Sequence, residues 1–116
     1  MKNFFDILEQ QHAFFLSGKT RDLSFRKEAL QKLSECIIRC KTEILEALHT
    51  DLNKSAIEGE MTEISVLQEE IRYVTKHITK WSKPLKAKTP LVLFPANSCR
   101  IAEPYGVVLI MSPWNY

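Results

Sequence analysis

From Phe4 to Trp81 the apolar residues recur every three or four positions, and from Leu85 onward that rhythm is lost. Phe4, Phe5, Leu8, His12 and Phe15 fall near one stripe, which predicts a first helix of about four turns at 3.6 residues per turn. Ser17-Gly18 is its expected stop, because glycine accepts the left-handed conformation past a helix end. After the linker Lys19–Leu23, Ser24 is a natural N-cap, and Leu30, Leu33, Ile37, Cys40, Ile44 and Leu48 continue the alternation of three and four. Thr42 offers a second cap after Cys40-Lys41, which leaves open one long helix or two in tandem with a small bend. Asp51–Lys54 reads as a polar break. Ser55-Ala-Ile-Glu58 then matches the capping box, in which serine and glutamate each satisfy an orphan backbone donor. Ile57, Met61, Ile64, Leu67, Ile71, Val74, Ile78 and Trp81 keep one face of a third helical segment until Lys83-Pro84 ends it.

The remainder reads as short strands. Pro90 and Pro95 bracket Leu91–Phe94, an apolar run suited to an edge strand. Ala96–Ser98 turns the chain into a second short strand over Cys99–Glu103, and Pro104-Tyr-Gly106 punctuates the entry to Val107–Met111. Every side chain of Val107–Met111 is apolar and three are β-branched, the pattern of a strand covered on both faces in a parallel sheet. A parallel neighbour is reached through a crossover of a dozen or more residues, and no such stretch follows Tyr116. The pattern therefore predicts the N-terminal piece of a larger α/β protein, whose helices wrap a sheet built mostly by other residues.

Composition changes this picture little. Sixteen basic and fourteen acidic residues are scattered along 116 positions, a balance that implies neither nucleic acid nor anionic lipid as a partner. Lys76–Lys88 with Trp81 inside it suggests a nucleic-acid patch, but Glu69 and Glu70 precede it and the apolar residues keep helical register, so it is read as a solvated helix face. No run reaches the roughly eighteen apolar residues of a membrane span, and the N-terminus has no secretory pattern. Three cysteines, Cys36, Cys40 and Cys99, form no disulfide framework, which points to a reducing compartment, the cytoplasm. Cys36 and Cys40 share a helical face, yet no further ligands stand near them in sequence, so no metal site is expected. His12, His49 and His77 are isolated, and Cys99, with neither a motif nor a nearby base, reads as a buried or half-buried thiol behaving as a small hydrophobe. Taken alone, Asn115 after Pro113-Trp114 reads as a turn former, because its side chain bonds local backbone.

Glu103-Pro-Tyr-Gly-Val-Val-Leu-Ile-Met-Ser-Pro-Trp-Asn-Tyr116 resembles the segment that opens the cofactor domain of aldehyde dehydrogenases. Gly18-Lys-Thr-Arg21 followed by Phe25-Arg26, and the helix from Glu69-Glu-Ile71 to Trp81, are similar to the class 3, fatty-aldehyde-type branch. The resemblance implies an incomplete aldehyde dehydrogenase fold of α/β class: an N-terminal helical layer over 1–85, edge strands of the bridging and oligomerisation region over 86–104, and the first strand and loop of a Rossmann-like NAD(P)-binding domain over 105–116. It implies oxidation of aldehydes to acids through a cysteine thiohemiacetal, with Asn115 donating to the oxyanion. Backbone at Met111, Ser112, Pro113 and Trp114 is implied to lie along NAD or NADP, and Tyr116 to stand near the aldehyde funnel. The nucleophilic cysteine, the general-base glutamate and the glycine-containing cofactor turn of the family lie after this motif, so the isolated chain is expected to be inactive. A homodimer is implied for the intact protein. The competing reading is a non-catalytic helical interaction module whose stripes pair as coiled coils; it leaves the pattern of Val107–Met111 unexplained.

Overall fold

The computed structural model describes residues 3–113. In chain order its longer elements are α1 (Phe4–Leu16), α2 (Leu23–Arg39), α3 (Lys41–Leu52), α4 (Ala56–Gly59), α5 (Ser65–Trp81), and the strands β1 (Leu85–Ala87) and β2 (Ser98–Arg100). The chain is mostly helical with one small two-stranded sheet. Leu23–Ser82 forms one unit; Met1–Asp22 and Lys83–Tyr116 together form the other.

In the first unit the open choice between one long helix and two falls to two, with Cys40 between α2 and α3 at φ −90°, ψ 11°; Thr42 lies inside α3 and does not cap it. Ser24 does not cap α2. The helix begins one residue earlier, and Asp22, a favoured capping type, holds the extended conformation that precedes it. The polar break is also shorter than expected: α3 runs through Asp51 to Leu52 and stops at Asn53. Asn53 takes φ +54° and donates its N–H to the His49 carbonyl at 2.9 Å, a conformation that asparagine tolerates better than most side chains. Ser55 caps α4 as predicted, its Oγ accepting from the Glu58 N–H at 3.1 Å.

The third helical segment is not one uninterrupted α-helix. Glu60–Ile64, between α4 and α5, winds as a π-helix, with the Ser65 N–H reaching back to the Glu60 carbonyl. A π-turn takes up an extra residue, so Ile57 and Met61 rotate off the face that Ile64 and Ile71 share. Ile57 and Met61 are exposed while Ile64 and Ile71 are buried. Two glutamates of the π-turn are held by lysines at either end of α3: Lys41 Nζ meets Glu60 at 2.7 Å, and the largely buried Lys54 Nζ meets Glu63 at 2.5 Å. Gly59 lets the turn approach α3, for a Cβ there would stand 2.9 Å from Leu45 Cδ2. The core is Ile37, Ile64 and Ile71, with Leu30, Ile44 and Leu45 packed against it. Leu33 and Leu67, expected on the buried stripes, are exposed. Gln68 ties α5 to α2 by accepting from Ser34 Oγ at 2.5 Å and donating to the Ser34 carbonyl at 3.1 Å.

In the second unit, Asn3 Oδ1 accepts from the Phe5 N–H at the start of α1, and Gly18 follows its end at φ +77°. β1 and β2 pair antiparallel in the register Leu85↔Arg100, Lys86↔Cys99, Ala87↔Ser98. This corrects two expectations. Leu91–Phe94 is no edge strand: Leu91–Leu93 forms a 3₁₀ turn, with the Leu93 N–H bonded to the Pro90 carbonyl and that of Phe94 to the Leu91 carbonyl, both at 3.0 Å. Neither flanking proline can donate to a ladder, and the run closes its own turn instead. The second strand is Ser98–Arg100 rather than Cys99–Glu103, because its partner β1 is only three residues long. Cys99, on this strand, is exposed rather than buried. Val107–Met111 carries no strand pairing among the described residues and is exposed. A strand is defined by its ladder, and the described residues offer this run no neighbour.

Candidate functional site

The segment that the sequence singles out begins on α1. Gly106 takes φ +101°, and the Phe15 ring lies beneath it, 3.5 Å from where a Cβ would stand. Phe4, Ile7, Leu8, Phe14 and Phe15 of α1 and the residues from Gly106 to Leu109 line an apolar groove of about 620 Å³. Exposure then rises along the run, from 38 % at Val107 to 84 % at Met111. The strip is thus anchored at its glycine end and uncovered toward Ser112-Pro113, which are exposed as well. Sequence reasoning treated Gly106 only as punctuation and missed Phe15 as its support. The signal for it was present: an aromatic at the end of the α1 stripe, and a glycine opening an apolar run.

Of the predicted site residues, the structure places Met111, Ser112 and Pro113 in succession on this open strip. Trp114, Asn115 and Tyr116 lie outside the described residues. Among the described residues no group of three or more His, Cys, Asp or Glu side chains is arranged to hold a metal ion. The Arg39 guanidinium is pushed above its ordinary value by hydrogen bonding to the Cys36 sulfur and then by the negative charge of its thiolate form, with Cys40 adding the same effects. It belongs to the α2–α3 junction and has no part in the strip. A larger groove, about 720 Å³, runs between α2 and α5, but Ser34 and Gln68 in its wall already bond each other, and no reactive constellation converges there.

The profile of the aldehyde dehydrogenase family matches residues 7–116. The chain belongs to the aldehyde dehydrogenase family. Similar relatives of this aldehyde dehydrogenase chain include the 4,4'-diaponeurosporen-aldehyde dehydrogenase of Staphylococcus aureus, 45 % identical in an alignment that covers 96 % of this chain and 25 % of that protein. Aldehyde dehydrogenase family 3 member B1 of Bos taurus is 40 % identical over all of this chain and 25 % of its own length. Aldehyde dehydrogenase family 3 comG of Dictyostelium discoideum is 41 % identical over 88 % of this chain and 22 % of its own. The chain spans about a quarter of the length of these curated relatives. Among solved structures, the substrate-bound state of Staphylococcus aureus AldH superposes with a TM-score of 0.85 and 41 % identity, over 90 % of this chain and 23 % of that one. The helices and hairpin therefore match an N-terminal part of the aldehyde dehydrogenase fold, and the class 3 resemblance agrees with the family 3 relatives.

Proposed function

We propose that, within a polypeptide of its relatives' length, this chain opens an NAD(P)-dependent aldehyde dehydrogenase that oxidises aldehydes to carboxylic acids. In this reading 1–85 is the helical layer, 86–104 the bridging hairpin, and 105–116 the first strand and loop of a Rossmann-like cofactor domain. The observation that carries it is the run Val107–Met111. Five successive apolar side chains anchored at Gly106 and otherwise uncovered suit a strand that is stable only when both faces are packed. Sheet neighbours from elsewhere in a longer chain would supply that cover, and the family membership supports the same placement.

The residues present fit one strip of a cofactor site. Met111, Ser112 and Pro113 are exposed and outside any ladder, so their backbone, continued by Trp114, is available to lie along the ribose and nicotinamide of NAD or NADP, which when bound accepts hydride. Asn115, two residues beyond Pro113, would donate its side-chain N–H to the aldehyde oxygen as a cysteine thiolate from elsewhere in the protein adds to the carbonyl carbon. Negative charge develops on that oxygen only along the reaction coordinate, so a fixed donor lowers the barrier without tightening the ground state. The three unpaired cysteines support a reducing, cytoplasmic location, and a homodimer completes the reading.

Asn115→Ala in the active protein is expected to lower turnover on the order of a hundredfold to a thousandfold, with NAD(P) binding unchanged. Unaltered turnover would remove Asn115 from the chemistry. The 116-residue chain alone is expected to show no NAD-dependent aldehyde oxidation, and activity in it would place the nucleophile among these residues.

A further inference from the structure

We propose that Cys36 and Cys40, with Arg39 beside them at the end of α2, form a site for one copper(I) ion held between two thiolates. The site is independent of the aldehyde chemistry and stands on the spacing and charge of three residues. Cys40 follows Cys36 by four positions, and the turn between them is closed by the Cys40 N–H donating to the Cys36 carbonyl at 2.9 Å. Residues four apart on a helix are neighbours on one face. That spacing is set within one turn of the Leu23–Ser82 unit, so it holds whatever lies against the unit in a longer polypeptide.

Distance selects a bridged pair over a bonded one. Cβ atoms at this helical spacing stand about 5–6 Å apart, whereas a disulfide needs them within about 3.5–4.5 Å. The sulfurs therefore cannot join directly without unwinding the last turn of α2, while an ion set between them fills the gap. The number of ligands then selects the ion. Zinc takes four ligands in a closed site, and among the described residues no third His, Cys, Asp or Glu side chain joins the pair. Thiolates favour soft ions such as copper(I), which accepts two sulfurs in a line.

Charge points the same way. Two thiolates around a monovalent ion keep one negative charge. The Arg39 guanidinium, hydrogen-bonded to the Cys36 sulfur and then to that of Cys40, supplies the positive charge that balances it. A divalent soft ion would neutralise both thiolates and leave the guanidinium without a counter-charge. Binding releases the two thiol protons to solvent, because the thiolate is the ligand. The metal enters already as copper(I), so nothing is oxidised or reduced.

The test uses purified protein of the relatives' length carrying this chain, reduced and kept free of oxygen, with copper(I) offered in competition with bicinchoninate. Wild type should withdraw one more equivalent than Cys36→Ser with Cys40→Ser, a difference that sets aside binding by cysteines elsewhere. Cys36→Ser or Cys40→Ser alone should lose that equivalent, and Cys99→Ser should keep it. Arg39→Gln should weaken binding about two- to fivefold, the range of an exposed charge pair, with Arg39→Lys recovering most of the loss. X-ray absorption at the copper edge, with one equivalent bound, should show two sulfur neighbours in linear coordination. Equal copper uptake by wild type and the double variant overturns the proposal, as do a site that survives loss of either sulfur, binding indifferent to Arg39→Gln, or an edge showing three or four neighbours. So does failure of a thiol reagent to reach Cys36 in the folded protein, which would show the pair covered. Circular dichroism checks each variant's fold, and the wild-type absorption edge decides the matter if the serine variants unfold.

Discussion

Gly106→Ala separates backbone strain from crowding at the point where the candidate site is anchored. Gly106 holds φ +101°, far from the left-handed well near φ +57° that side chains reach with difficulty. A methyl group added there meets Phe15 Cε1, Cδ1 and Cζ at 3.5, 3.7 and 3.8 Å. These are ordinary van der Waals distances, so space costs nothing, and three such contacts return under about 1 kcal/mol at roughly 0.1–0.2 kcal/mol each. The strain of a side chain in a sparsely populated region is about 1–3 kcal/mol. Strain therefore wins, and alanine should destabilise by about 1–2 kcal/mol, a factor of roughly five to thirty in the folded-to-unfolded ratio. The assay is urea unfolding of wild type, Gly106→Ala, Phe15→Leu and the double variant. If crowding against Phe15 were the cause, Phe15→Leu would recover most of the loss in the double variant; strain leaves the two costs nearly additive. D-alanine installed at 106 by ligation should restore stability, since its preferred φ is positive. Recovery by Phe15→Leu, or an unchanged midpoint in Gly106→Ala, would refute the reasoning.

Three further substitutions test the helical unit. Ser55→Ala removes the Oγ that accepts the Glu58 N–H and should cost about 1 kcal/mol, read as a lower urea midpoint at unchanged slope. Ile71→Ala hollows a core in which only Ile37 and Ile64 are as deeply buried among the described residues, and about 2–5 kcal/mol should abolish a cooperative thermal transition by circular dichroism. Gly59→Val gains roughly the 1 kcal/mol that glycine costs a helix, or less, but drives its side chain against Leu45 Cδ2 and Leu48 Cδ1, already 2.9 and 3.3 Å from a bare Cβ. Overpacking of about 1–3 kcal/mol should dominate, and a raised melting temperature would show that α3 yields more easily than its packing implies.

What was legible in the sequence was local. The first helix with its Gly18 stop and the Ser55 cap each depend on residues within one or two turns of each other, and both stand in the structure where the pattern put them. The π-turn was not legible, because its cause is remote: Glu60 and Glu63 meet Lys41 and Lys54, and Gly59 meets Leu45. Periodicity counted from Ile57 cannot register a residue absorbed at position 60. Leu91–Phe94 misled for the opposite reason, since an apolar run between two prolines looks like an edge strand until its 3₁₀ bonds are seen.

The candidate site shows the same division more sharply. The chemistry proposed for it rests on resemblance alone, because Pro113-Trp114-Asn115 taken by itself spells a turn. Its mechanical support, Phe15 under Gly106, is a contact between residues about ninety positions apart that no short window along the chain can contain. Periodicity reports which face of an element is apolar and is silent on what covers it. Phe4, Phe5, Leu67 and Val108–Met111 lie on stripes read as buried, and all are exposed. Those residues follow the pattern of a core without being in one among the described residues. Apolar patterning therefore carried the elements and their faces, while the partners of those faces, the sheet beside Val107–Met111 above all, belong to interactions that the pattern implies but does not identify.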